Sequence, residues 1–166
     1  MKKPAILIAS ISLFLLYSCG GVGSKKTEDL KSDDFRTESA LGLYEISIPD
    51  YMKKATDLNA DASMQFQNLF KETYLAIIDE DKDDFVDAFK ELGEFDDNLS
   101  TIGNYRNIQV KYFFESLQLI RKGEPKQITI NGFSAEQIEF VGRVVDVNFD
   151  IYYLMTFVEG EDDLYM

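Results

Sequence analysis

The chain has 166 residues, with 30 Asp or Glu against 17 Lys or Arg, a formal charge of −13, one Cys, no His and no Trp. So acidic a surface repels phosphate backbones, which argues against nucleic acid as a partner. With no histidine and a single thiol, Ser-His and Cys-His nucleophiles, imidazole acid–base catalysis and the usual nitrogen and sulfur zinc sites are excluded.

Lys2 and Lys3 open the chain with positive charge, and Ile6 to Leu16 follow as an apolar run broken only by small residues. Ser18 then stands immediately before Cys19, the only cysteine. This order is that of a secretory signal over residues 1–18, and its apolar core is too short to span a bilayer, which needs about 20 residues. No later stretch reaches that length. The tail Leu16-Tyr17-Ser18-Cys19 resembles the lipobox of bacterial lipoproteins, with Tyr17 where that family carries a small or β-branched residue. The resemblance implies a diacylglycerol on the Cys19 thiol, cleavage before Cys19 and acylation of the new amino group. Two or more acyl chains give stable anchoring where one gives only marginal binding. Gly20 occupies the position where an aspartate often signals retention in the inner membrane, so the resemblance implies an extracytoplasmic protein of the outer membrane. Loss of Lys2 and Lys3 with the leader would make the charge −15.

Residues 19–41 are Gly-led, polar and of mixed charge, and read as a disordered tether carrying the anchor. The remaining 42–166 are predicted to be one domain. Tyr44, Ile46 and Ile48 alternate with Glu45 and Ser47 in a strand that ends at Pro49-Asp50. Two more strands are predicted at 63–70 and 73–80, joined across Lys71-Glu72. In 81–92, Phe85, Phe89 and Leu92 fall at helical spacing behind a front of acidic residues, which suits a helix N-terminus. The longest helical pattern is predicted over 104–123, with Tyr105, Ile108, Tyr112, Phe113, Leu119 and Ile120 on one stripe and Arg121-Lys122-Gly123 closing it. Period two then returns. Asn131-Gly132 predicts a hairpin turn into a strand over 134–144, where Gly142 suggests a bulge. Val147, Phe149, Ile151, Tyr153, Met155 and Phe157 alternate as the clearest strand, and a turn at 159–163 leads into the opening of another.

This is an α+β pattern: an antiparallel sheet built from hairpins with helices inserted between its halves. The order of elements, and the run "YEISIPDYMKK…SMQFQNLFKETYLAIIDE", resembles the PsbP-like fold of photosystem II extrinsic proteins and many bacterial lipoproteins, over 43–166. The resemblance implies binding or assembly rather than catalysis. Members of that family usually complete a final strand and then add a C-terminal helix on the sheet, whereas this sequence stops at Tyr165-Met166. The expectation is therefore either a truncated reading frame or an exposed sheet edge and an uncovered apolar face, with lower stability than a longer relative if the chain ends there.

Asp79, Asp81 and Asp83 have the opening spacing of an EF-hand loop, but Asp84 and Lys90 stand where its glycine and glutamate belong. Helix capping is the preferred account. The paired carboxylates Glu136 and Glu139, or Asp146 and Asp150, are read as residues of a solvated sheet face, and the regularly spaced aromatics as core. No catalytic, cofactor or metal residue is assigned, and Cys19 is the one site residue. The expected protein is a non-catalytic, lipid-anchored envelope component that binds the membrane through its anchor and also a protein or small ligand. The alternatives are an extracytoplasmic hydrolase using carboxylates only and a calcium-modulated module.

Overall fold

The computed structural model describes residues 30–40, 42–144 and 149–166, and the backbone of Ile6 and Leu7. Cys19 and the lipobox lie outside the described residues. The fold is α+β, and its contacts divide the chain into two compact units. The first comprises Met1–Ala60 and Met64–Ala76; the second comprises Asp61–Ser63 and Ile77–Met166.

In the first unit, β1 (Ile6–Leu7) pairs parallel with β3 (Tyr44–Pro49), and β2 (Phe35–Ala40) pairs antiparallel with β3. A second small sheet follows the order β4 (Lys53–Lys54), β5 (Met64–Asn68), β6 (Thr73–Ile77). Tyr44, Ile46 and Ile48 are buried as their alternation requires, together with Met52, Met64 and Phe66. Strand β2 corrects the expectation of an unstructured segment up to residue 41. Its apolar content is low, so hydropathy does not reveal it. What holds it is a full ladder to β3 and Arg36, whose guanidinium donates to the carbonyls of Pro49, Asp50 and Met52 and pairs with Glu38.

The second unit is a six-stranded sheet. It runs in the order β7 (Asp79–Asp81), β12 (Asp163–Tyr165), β11 (Ile151–Glu159), β10 (Phe133–Val144), β8 (Leu117–Lys122), with β9 (Lys126–Ile130) also paired to β10. Helix α1 (Lys82–Glu91) starts at Asp81, whose carboxylate accepts the Asp84 N–H at 2.9 Å. Capping is thus the role of this aspartate, as expected. The helix stops in a Schellman turn: Gly93 at φ 71 donates to Lys90 O, and Glu94 donates to Phe89 O. Helix α2 (Thr101–Glu115) is capped by Ser100, and the buried Asn104 fastens the preceding loop by exchanging hydrogen bonds with the backbone of Asp96.

Three expectations are corrected here. Residues 117–122 are a strand, not the end of the helix. Leu119 and Ile120 fit either period, but Ser116 closes the helix and Leu117 turns into the core against Gly142. The predicted strand over 73–80 is two strands in different sheets, because Ile78 exchanges backbone hydrogen bonds with Met166. The last strand is not the edge of its sheet: β12 lies between β7 and β11, and Leu164 and Tyr165 are buried. Nor is the apolar face bare. Tyr105, Ile108 and Phe113 of α2, with Phe85 of α1, pack over Ile138, Phe140, Met155, Phe157 and Leu164. Tyr105 meets Phe85 and Phe157 edge-on at 5.1 and 5.8 Å.

The hairpin reading at Asn131-Gly132 holds, with both residues at positive φ (50° and 86°), the requirement of a type I′ turn. Gly142 sits at a register shift between β10 and β8, and a Cβ there would lie within 2.2 Å of the Leu117 side chain. In the last long strand the ladder begins at Ile151. Val147 lies outside the described residues, and Phe149 is exposed instead of facing the core.

Candidate functional site

Of the carboxylates singled out in the sequence, Asp146 lies outside the described residues, and its partner Asp150 pairs with Arg143. Glu136 and Glu139 point to opposite faces of β10, as their spacing requires. Glu139 is partly exposed and pairs with Lys126. Glu136 is buried, which corrects the reading of a solvated face. It shares the helix-covered face with Ile138 and Phe140, and its carboxylate forms an ion pair with Arg106 of α2. A charge placed in the core requires such a partner.

Glu80, which the sequence did not single out, sits on the same face of the sheet one strand beyond Leu164. Its Oε1 accepts from Gln109 Nε2 at 2.6 Å and from the Tyr105 hydroxyl at 3.5 Å. Burial raises the Glu80 carboxyl above its ordinary value, against the opposing effect of those two donors. Burial, and after it the charge of Glu80, pushes the Tyr105 phenol far upward, so this hydroxyl is a donor at any working pH. Among the described residues no three of Asp, Glu, His or Cys converge as a cation site would require. A hollow of about 60 Å³ lined by Gly123, Glu124, Lys126, Gln137 and Glu139 is well below the roughly 300 Å³ at which small-molecule sites begin.

The surface is more informative than the interior. At the tip of the β5–β6 hairpin, Leu69 and Phe70 are 69% and 97% exposed, and Tyr74 beside them is also exposed. The turn that presents them is tightly built. Asn68 Oδ1 accepts the Lys71 N–H at 2.8 Å, and its Nδ2 donates to Tyr51 O at 2.7 Å. Glu72 adopts a left-handed φ of 51°, and the Lys71 ammonium lies 4.4 Å from the centre of the Tyr51 ring. Sequence reasoning passed over this tip, yet a signal existed: Leu69-Phe70 breaks the alternation of Met64 and Phe66 and falls directly before the polar turn Lys71-Glu72.

In the second unit Leu119 and Ile120 of β8, and Val144, Phe149 and Tyr152, are also exposed. Among the described residues β8 and β9 form the outer edge of the sheet beyond β10. Arg121 and Lys122 place positive charge on that edge.

No family model matches the chain, and no curated protein matches it at a significant level.

Proposed function

We propose that this chain is a lipid-anchored, non-catalytic binding protein of the cell envelope with a PsbP-like body, held to the outer membrane through acyl groups on Cys19. The observation that carries the reading is the single thiol, placed behind Ser18 at the end of a short apolar run that opens with two lysines. Cleavage before Cys19 would also remove β1 and free the side of β3 that it pairs with. Among the described residues no helix is long and apolar enough to cross a membrane, so an acyl anchor supplies what the helices do not.

The exposed apolar side chains support binding over catalysis, since large apolar groups held in water mark contact surfaces. For a protein partner, the β8 edge offers backbone hydrogen-bonding groups beside Leu119 and Ile120, the arrangement used in strand addition. The competing reading, a hydrolase using carboxylates alone, draws on the raised carboxyl of Glu80. Its donors, Tyr105 and Gln109, instead give it a structural role beneath α2.

Metabolic labelling with an alkyne fatty acid tests the proposal. The wild-type chain should take up label that a Cys19→Ala variant does not. Equal labelling of both, or of neither, would refute it.

A further inference from the structure

We infer that the Leu69-Phe70 tip is a second membrane contact, which inserts into a phospholipid surface beside the anchor. This rests on the proposed acylation of Cys19 but adds a site that acylation does not require. Three observations within the first unit converge on it.

The first is construction. The hairpin spends its polar contacts, Asn68 to Lys71 and to Tyr51, on holding two apolar side chains outward. Phe70 at 97% exposure covers nothing in the fold, so its apolar area is free to be buried elsewhere. Tyr74 beside it is the type of amphipathic ring that favours the headgroup level.

The second is position relative to the tether. Asp50 N–H donates to Asp34 O at 2.9 Å, and Arg36 donates to the carbonyls of Pro49, Asp50 and Met52. The segment 34–36, where the chain arriving from Cys19 joins the fold, is therefore clasped to the turn at 50–52. Asn68, at the base of the tip, is clasped to the same turn through Tyr51 O. Tether and tip leave the unit from one structural knot. Cys19 and Asp34 are 15 residues apart, a span of at most about 50 Å. Acyl chains on Cys19 thus keep this end of the unit within reach of the bilayer.

The third is charge. After cleavage before Cys19 the first unit holds nine acidic and seven basic residues, whereas the second holds 21 and eight, so 13 of the 15 excess negative charges belong to the second. The unit that carries the tip is therefore only weakly acidic and is repelled by anionic headgroups far less than the second. Lys53 lies exposed in β4, which pairs with β5, while its neighbour Lys54 is ion-paired with Glu38 and Lys71 stands beside Glu72 in the tip, so lysines and carboxylates are mixed at this end of the unit.

The test uses a Phe70→Trp variant, whose probe is the sole tryptophan of the chain. Full-length protein is produced in a host that acylates lipoproteins, its mass is measured, and it is reconstituted into phosphatidylethanolamine–phosphatidylglycerol vesicles with or without brominated acyl chains. Insertion predicts blue-shifted emission and several-fold quenching by the brominated lipid. A Leu92→Trp probe, at an exposed position after α1, should stay unquenched. Solvent-like emission from the tip probe in a chain whose mass includes acyl groups overturns the tip contact and leaves the anchor standing. Quenching in a chain whose mass lacks them supports the tip and removes the anchor. Equal quenching at position 92 overturns the proposal, as does a blue shift that grows with protein concentration in the absence of lipid, which would assign the tip to a second copy.

Discussion

The two units solve the problem of charge in opposite ways. The first nearly balances it and ties Arg36 into the backbone, where its guanidinium serves three carbonyls and Glu38. The second carries most of the acidic excess and buries aromatic rings under two helices, with Glu136 buried and paired to Arg106. A weakly charged unit can approach an anionic surface at little electrostatic cost. A strongly acidic one gains solubility at the expense of self-repulsion. The difference separates the region that presents apolar side chains at a hairpin tip from the region that stores stability in a core.

The largest effects should come from the core of the second unit. Tyr105→Ala removes a fully buried ring wedged between Phe85 and Phe157 and should cost about 3–5 kcal/mol in urea unfolding. A cost under about 1 kcal/mol would mean that α2 does not cover the sheet as described. Arg106→Ala strands the Glu136 carboxylate and should cost roughly 3 kcal/mol, while the double replacement Arg106→Met with Glu136→Leu should return to within about 1 kcal/mol of wild type. If the double variant is as unstable as the single, the pair contributes more than mutual compensation. In the first unit, Arg36→Lys keeps the charge but loses the planar fork that reaches three carbonyls, and about 1–2 kcal/mol is expected.

Acidity sharpens the contrast through sign. Glu38 is held below its ordinary value of 4.5 by hydrogen bonds from Arg36 and then Lys54. Its contribution is complete above that value and is lost as pH falls through the lowered one. Glu80 is raised above 4.5 by burial, so the folded state binds its proton more tightly than the unfolded chain and stability falls as pH rises through that window. Glu80→Gln should therefore flatten the loss of stability above pH 4.5, and Glu38→Gln should flatten the loss below it, both read from unfolding midpoints across pH. Identical slopes for the two variants would refute the assignment. The smallest effect expected is Asp81→Ala, the cap of α1, at about 1 kcal/mol.

Much of this architecture was legible in the sequence where one local rule acted alone. Asn131-Gly132 dictated its turn, Gly142 its bulge, and Asp81 its cap, because each depends on a backbone requirement that few residues meet. Legibility failed where a distant partner decided. Residues 117–122 fit a helix by spacing, and only pairing with β10 makes them a strand. Phe35–Ala40 is too polar to announce itself and depends on β3 and Arg36. Glu136 looks like a surface residue until Arg106, 30 positions earlier, is brought over it. The exposed tip could have been suspected from an apolar pair in a turn, but its attachment to the 50–52 turn comes from Asn68 reaching Tyr51, which no periodicity contains.

The account stands or falls on the chemistry at position 19. The intact mass of the protein recovered from the membranes of its native host should equal that of residues 19–166 plus a diacylglyceryl group and an amide-linked acyl chain. A mass equal to the full 166-residue chain, leader retained and thiol unmodified, would contradict it.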